Sequence, residues 1–194
     1  MIDPTALVSS SARIGERTRI WGLSQVREDV EIGEDCTIGR NVYIGAGVHV
    51  GRNVKIQNLA QVYEPAVVED GVFIGPAVVL TNDEFPRAVD PHGRLKDTSA
   101  WTPVGVTLEE GASIGARAVC VAPVTVGRWA MVGAGATVVH DVPDFALVVG
   151  TPARQIGWVG RAGRPLVESD GDWSCPATGA RYVVRDGRLT EQES

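Results

Sequence analysis

An apolar residue recurs at every sixth position through the first half of this chain, and few folds accommodate that spacing. Thirteen consecutive members of the series are isoleucine, valine or leucine: Val8, Ile14, Ile20, Val26, Ile32, Ile38, Ile44, Val50, Ile56, Val62, Val68, Ile74 and Leu80. The fourth residue after each of them is usually small or β-branched, as at Cys36, Val42 and Ala60. Neither the helical period nor the alternation of an ordinary strand produces this series.

The period of six indicates a solenoid in which each hexad forms one short strand and one turn. Two apolar positions per hexad point inward, and each coil rests on the coil before it with parallel strand pairing at about 4.8 Å. Glycine often follows the apolar residue, as at Gly15, Gly33 and Gly39. Because glycine lacks a Cβ, it allows successive turns to approach closely.

The repeat [Ile/Val/Leu]-Gly-x-x-[small]-x resembles the hexapeptide-repeat family. This resemblance implies three hexads per coil, a triangular prism with left-handed connections, and usually a trimer. The expected fold class is therefore all-β, a left-handed parallel β-helix with one inserted loop, a short C-terminal helix and a small hairpin. With three hexads per coil, residues eighteen apart stack on the same edge of the prism.

The rhythm breaks after Leu80 and resumes at Leu108, an interval that is not a multiple of six. It then continues through Ile114, Cys120, Val126, Val132 and Val138. We expect residues 81–104 to form an inserted loop, and long loops on regular scaffolds are usually functional. A loop that grips a neighbouring subunit is an alternative compatible with a functional one.

The repeat ends near Asp144, and the following residues, Phe145 to Arg154, resemble the usual family exit from the prism. We expect a domain of residues 1–153 and a C-terminal cap and tail of residues 154–194. Within the tail, residues 155–164 are expected to form a short helix that covers the open end of the solenoid. Turn signals around Arg181–Val184 predict a small hairpin within residues 165–194.

Charge and composition exclude several classes of partner. The chain has 194 residues, a formal net charge of −6 and no basic run, so nucleic acid and anionic membranes are not expected partners. It has neither a secretory leader pattern nor a membrane-length apolar segment, which predicts a cytoplasmic protein. Cys36, Cys120 and Cys175 are isolated, so we expect no disulfide framework and no metal site.

Ionisable residues gather on one predicted edge. At a spacing of eighteen, one column contains Glu28, Ala46, Glu64 and Asn82, and the column beside it contains Arg27, Gly45, Tyr63 and Thr81. We predict a substrate groove whose binding residues are Arg27, Glu28, Tyr63 and Glu64. A solvated turn that tolerates charge is the alternative for these positions.

A second, more specific motif lies at the break. The string Thr81-Asn82-Asp83-x-x-Pro86-Arg87, followed by Trp101-x-Pro103 and by residues 111–116, resembles one branch of the family. That branch contains enzymes that use acetyl-CoA to acylate the 3-amino group of nucleotide-linked amino sugars. Asp83 favours the members that act on dTDP-linked rather than UDP-linked sugars.

The resemblance implies a role for each residue of this motif. Asn82 would orient the amine or donate to the developing oxyanion, and Asp83 would hold a sugar hydroxyl or accept a proton. Arg87 would pair with a diphosphate or with Asp83. The alternative is that Asn82 and Asp83 only cap the turn.

The resemblance also implies a homotrimer that binds acetyl-CoA between subunits and requires no metal. Its cofactor contacts are expected at the small turn residues Ala116, Ala134 and Gly135, with Arg154 and Arg161 near the phosphates. A solvated surface arginine is the alternative for Arg161.

Two rival functions remain open from the sequence. Hexapeptide O-acetyltransferases commonly use a histidine base, but we expect His49, His92 and His140 to lie on the surface, with His92 the best placed of the three if the loop folds back. The other rival is a non-catalytic trimeric scaffold.

Overall fold

A three-sided solenoid of parallel strands makes up most of the molecule. The structure, a computed structural model, describes residues 1–97, 101–169 and 171–192, and these ranges contain strands and turns but no helix. The first sheet contains β1 (Leu7–Val8), β4 (Gln25–Val26), β7 (Tyr43–Ile44), β10 (Gln61–Val62), β13 (Val79–Leu80), β16 (Val119–Cys120) and β19 (Thr137–Val138). The second contains β2 (Arg13–Ile14), β5 (Glu31–Ile32), β8 (His49–Val50), β11 (Val67–Val68), β14 (Val106–Leu108) and β17 (Val124–Val126). The third contains β3 (Arg19–Ile20), β6 (Thr37–Ile38), β9 (Lys55–Ile56), β12 (Phe73–Ile74), β15 (Ser113–Ile114), β18 (Met131–Val132), β20 (Ala146–Val149) and β21 (Arg154–Trp158).

The strand register confirms the expected coil of three hexads. Val8 pairs with Val26, and Ile44 pairs with Val62, so each coil advances the chain by eighteen residues. Every neighbouring pair is parallel until β21 reverses direction. The expected all-β class and left-handed β-helix architecture are therefore confirmed.

The residues of the six-residue series fill the prism. Most of them are completely buried, including Ile38, Ile56 and Leu80, and the small residues four positions later pack beside them. Cys36 and Cys120 are free thiols within this core, and burial raises the pKa of Cys120 to about 12.

The inserted loop leaves the solenoid after β13 and returns at β14. Leu80 pairs with Cys120, so the chain advances by forty residues there instead of eighteen. The loop carries an isolated antiparallel bridge between Val89 and Leu95. Part of the predicted insert, residues 98–100, lies outside the described residues.

The prediction of a short helix at residues 155–164 is wrong. The chain forms β21 there, which pairs antiparallel with β20 at the end of the third sheet. Gly157, Gly160 and Gly163 weaken a helix in this segment, while a strand satisfies the backbone groups of the last solenoid strand. The end of the third sheet is thus covered by a strand and not by a helix.

The tail is larger than the predicted hairpin. The hairpin is present as β24 (Arg181–Arg185) and β25 (Arg188–Glu191), but β22 (Val167–Ser169) and β23 (Asp172–Ser174) extend it to four antiparallel strands. Leu166, Cys175, Tyr182 and Leu189 pack with Phe145 in a second small core. No helix in the described part of the chain is long and apolar enough to span a membrane.

Candidate active site

One edge of the prism, here called the Asn82 edge, is formed by turns that follow strands of the first sheet. From the first coils upward, its turn residues are Glu28, Ala46, Glu64, Asn82, Ala122 and His140. The predicted stacking of the first four is therefore present. Adjacent rungs are separated by about 4.8 Å, so Glu64 and Asn82 are neighbours along this edge.

The lower part of the edge is a connected polar group. The guanidinium of Arg27 donates to Glu28 Oε2 at 2.9 Å and to the Tyr43 hydroxyl at 3.4 Å. The Tyr43 and Tyr63 rings lie 5.2 Å apart between centroids. The backbone amide of Glu28 and the Arg27 guanidinium lower the pKa of the Glu28 carboxyl. Arg27 is thus held by local partners, and the Tyr63 ring packs against one of them, Tyr43.

Glu64 is unlike its neighbours because its carboxylate is folded inward. Its Oε2 atom is the single buried side-chain polar atom without a hydrogen-bond partner among the described residues. The carboxylate occupies the space above Gly45, where a Cβ would overlap Oε2. An unsatisfied buried polar group typically costs about 1–3 kcal/mol, and more when it is charged.

Asn82 and Asp83 lie where the loop leaves the prism. The carbonyl of Asn82 accepts from the Val104 amide at 3.2 Å, which joins the two ends of the loop. The Thr81 hydroxyl accepts from the Ala122 amide at 2.9 Å. Asp83 Oδ1 accepts from the Phe85 amide at 3.0 Å, so Asp83 does help to hold the turn. This contact leaves the other carboxylate oxygen of Asp83 for a further partner.

The loop encloses a cavity of about 680 Å³ beside Asp83. Two cations, Arg87 and Lys96, line it together with apolar side chains that include Phe85 and Trp101. Arg87 donates to the Pro86 carbonyl at 3.1 Å. Because the carboxylates of Asp83, Glu84 and Asp97 also line it, the cavity combines charges of both signs with aromatic surface, which suits a polar ligand that also carries a planar group.

A second edge of the prism, here called the Ala134 edge, is formed by the turn residues Ala116, Ala134 and Gly150. Four of the five residues predicted to contact the cofactor lie on or beside it: Ala116, Ala134, Gly135 and Arg154. These turns stack because β15, β18 and β20 are in register. Gly135 donates to the Ala116 carbonyl at 2.8 Å, and a Cβ on Gly135 would meet only open space. Arg154 begins β21 directly after this edge.

Arg161 lies apart from the other predicted cofactor residues. Its guanidinium donates to Glu191 Oε2 at 2.6 Å and lies 4.6 Å from the centre of the Trp129 ring. The structure therefore engages Arg161 with the tail sheet, and its predicted cofactor contact stays a prediction.

The histidines are separated in the structure. His49 faces outward on the second sheet, 3.6 Å from Glu31, and His92 lies in the loop. His140 falls on the Asn82 edge, two rungs beyond Asn82. A spacing of eighteen residues does not predict this position of His140, because paired strands on the two sides of the loop are forty residues apart. Continuing the order of the three faces from Leu80 to Leu108, where the series resumes, would have placed Cys120 and Val138 on the first sheet and His140 on this edge.

Comparisons with known proteins agree with this architecture. The family described as bacterial transferase hexapeptide (six repeats) matches residues 11–46 and 47–82, and the hexapeptide repeat of succinyl-transferase matches residues 105–139. A solved hexapeptide transferase family protein from Anaplasma phagocytophilum superposes with a TM-score of 0.54 at 19% identity, covering 84% of this chain and 80% of that one. At this identity the superposition supports the fold alone.

Two curated relatives match part of the chain. A dTDP-3-amino-3,6-dideoxy-alpha-D-galactopyranose 3-N-acetyltransferase from Aneurinibacillus thermoaerophilus is 43% identical over 84 residues, which is 43% of each chain. A serine acetyltransferase from Bacillus licheniformis is 37% identical over 87 residues, covering 44% of this chain and 39% of that one. The match thus spans less than half the length of either relative. With hexapeptide-repeat matches over two ranges before the loop and one after it, and a three-sided β-helix in the structure, this chain belongs to the hexapeptide-repeat acyltransferase family.

Proposed function

We propose that this protein transfers an acetyl group from acetyl-CoA to the amino group, at C3, of a dTDP- or UDP-linked amino sugar. The observation that carries the proposal is the 43% identity over 84 residues to an enzyme named for that reaction. The position of Asn82 and Asp83 beside the loop cavity supports it, because the sugar and its diphosphate need adjoining polar and cationic groups. We place this activity in the cytoplasm.

The chemistry requires a neutral amine to attack the thioester carbonyl and an oxyanion to be stabilised as it forms. Asn82 orients the amine or donates to that oxyanion, and Asp83 holds a sugar hydroxyl or accepts a proton. Tyr63 and Glu64 extend the sugar groove along the Asn82 edge, and Arg27 and Glu28 continue it. Arg87 meets the diphosphate at the loop cavity.

Acetyl-CoA lies along the Ala134 edge of a neighbouring subunit in a homotrimer. Small residues at Ala116, Ala134 and Gly135 leave the backbone open to the pantetheine chain. Arg154, which begins β21 directly after that edge, pairs with a phosphate, and Arg161 would do so only by leaving Glu191.

The direct test is an acetyl-CoA consumption assay over a panel of dTDP- and UDP-linked amino sugars. With the best substrate, Asn82→Ala should lower turnover by about 10- to 1000-fold, as removal of an oxyanion donor does, while the trimer stays intact. Asn58→Ala controls for the loss of an amide side chain at this hexad position, since Asn58 lies two coils before Ala116 and its Oδ1 accepts from the Arg40 amide at 2.8 Å. Near-normal turnover of the Asn82 variant would refute its role.

The position of His140 on the Asn82 edge favours one rival, an O-acetyltransferase with a histidine base. A hydroxyl counterpart acetylated faster than the amino sugar, together with loss of activity in His140→Asn or His92→Asn, would establish this rival. A non-catalytic scaffold would show no heat of acetyl-CoA binding in calorimetry.

A further inference from the structure

Among the polar groups of the Asn82 edge, Glu64 stands out because no hydrogen bond or ion pair accounts for the position of its carboxylate. Arg27 and Glu28 satisfy each other, and Asp83 holds the turn of Phe85. Glu64 Oε2 is buried without a partner, directly below the rung of Asn82. Buried carboxylates are normally paired, so a cationic or donor partner is missing at this point.

We propose that Glu64 binds the substrate's amine as an ammonium ion and takes one proton from it before attack. The inference rests on the proposed function, since it names the group that recognises the nucleophile. An ammonium supplies three N–H donors and a positive charge, which is the complement that an unpartnered carboxylate requires. Asn82 follows on the next rung of the same edge.

The steps balance as follows. Glu64 removes one proton from the ammonium, and the freed lone pair forms the C–N bond with the thioester carbon while the carbonyl electrons move to oxygen. As the carbonyl reforms, the C–S bond breaks and its electron pair goes to sulfur. The second amine proton goes to that sulfur, which gives the free thiol, and Glu64 releases its proton to water.

The surroundings of Glu64 allow it to act alone in this role. The charged and titratable groups on the neighbouring coils of this edge are Tyr43 and Tyr63, Arg27 with Glu28 lower on the edge, and Asp83 on the coil above. Arg27 is directed to Glu28 and to the Tyr43 hydroxyl. Gly45 makes the inward position possible, because any Cβ there would overlap the carboxylate.

The test is the pH dependence of kcat/KM for wild type and Glu64→Gln with the amino sugar that the wild type acetylates. If a carboxylate must meet an ammonium, kcat/KM of the wild type falls above the pKa of the sugar amine. In Glu64→Gln only the free amine reacts, so kcat/KM is about 10²-fold lower at neutral pH and rises until that pKa is passed. The KM for acetyl-CoA should not change.

Glu16→Gln is the matched control, because Glu16 occupies the same hexad position on another edge and its side chain is 87% exposed. The inhibition constant of the 3-hydroxyl counterpart, which carries no ammonium, should be similar in wild type and Glu64→Gln. An active wild type whose Glu64→Gln variant keeps the same rate and pH profile would overturn this inference alone. A wild type that acetylates no amino sugar of the panel would overturn the proposed function and this inference with it.

Discussion

At the scale of single residues, Gly45 determines where the Glu64 carboxylate can lie. We expect Gly45→Ala to lower the free energy of unfolding by about 1–3 kcal/mol, as inserted methyl groups in close-packed sites do. A Cβ there overlaps Glu64 Oε2 and lies 2.7 Å from the Glu64 amide nitrogen. The displaced carboxylate should also raise the KM of the amino sugar, which initial-rate kinetics measure.

Gly33→Ala separates these two effects. Gly33 has the same place in its hexad on another edge, and its added Cβ would lie 2.7 Å from the Arg52 amide nitrogen. We expect a similar loss of stability in urea unfolding but an unchanged KM for the sugar. Equal changes of KM in both variants would show that Gly45 acts only on stability.

The carboxyl of Glu109, in a turn that follows the second sheet, should make the stability of the fold depend on pH. Burial, with the nearby Asp144 and Glu69 carboxylates, raises the pKa of Glu109. A carboxyl with a raised pKa in the folded state destabilises that state once it ionises, so stability falls as pH rises from the unfolded pKa through the folded one. Glu109→Gln should therefore be more stable than wild type at pH 7.

The same linkage predicts that the advantage of Glu109→Gln disappears at low pH. Well below the pKa of both states the wild-type carboxyl is neutral, and the two proteins should have equal unfolding free energies at about pH 3 or below. Urea unfolding at both pH values measures this. An advantage that is independent of pH would contradict the electrostatic explanation.

At the scale of elements, the solenoid was predictable and its ending was not. The six-residue pattern recurs in every coil, so many positions support the same prediction. Burial of Ile20, Ile38 and Ile56 follows from that pattern. The segment from Gln155 occurs once, and its strand state depends on pairing with β20, which no local pattern reveals. In the same way, the stacking of Glu28, Ala46, Glu64 and Asn82 could be predicted from a spacing of eighteen residues. The position of His140 depends on the strand register across the loop.

The tail sheet depends on Trp129. This residue has a φ of 56°, a left-handed conformation that is unfavourable for a bulky side chain, and its ring contacts Gly111 and Arg161. Because these ring contacts join the tail to the solenoid, we expect Trp129→Ala to loosen the tail. The change should lower stability by up to about 3 kcal/mol, the lower end for a buried aromatic residue.

Limited proteolysis measures that loosening at the arginines of β24 and β25. We expect faster cleavage there in Trp129→Ala, with unchanged acetyl transfer, because the Asn82 edge is elsewhere. Trp21→Ala, which removes an indole that is 45% exposed and lies far from the tail in the chain, is the control and should leave tail cleavage at the wild-type rate. Identical cleavage in all three proteins would show that Trp129 does not hold the tail.

At the scale of the whole molecule, the two proposed halves of the site lie on different edges of one prism. Asn82 follows β13 in the first sheet, whereas Ala134 follows β18 in the third. In the homotrimer that we propose, the Asn82 edge of one subunit would lie against the Ala134 edge of the next, so each complete site would use two chains. The mass expected in light scattering is then three times 20.6 kDa, about 62 kDa.

Mixing two inactive variants tests this arrangement. Asn82→Ala removes one half of the site, and Ala134→Arg blocks the other half by filling the turn with a long side chain. If the two are co-expressed in equal amounts, about a quarter of the shared sites combine an intact Asn82 edge with an intact Ala134 edge, so about a quarter of wild-type activity should return. Sites built within single subunits would regain none, because every chain then carries one defect. Activity that stays at the level of the separate variants, in a mixture shown by mass to contain hetero-trimers, would therefore place both halves on one chain.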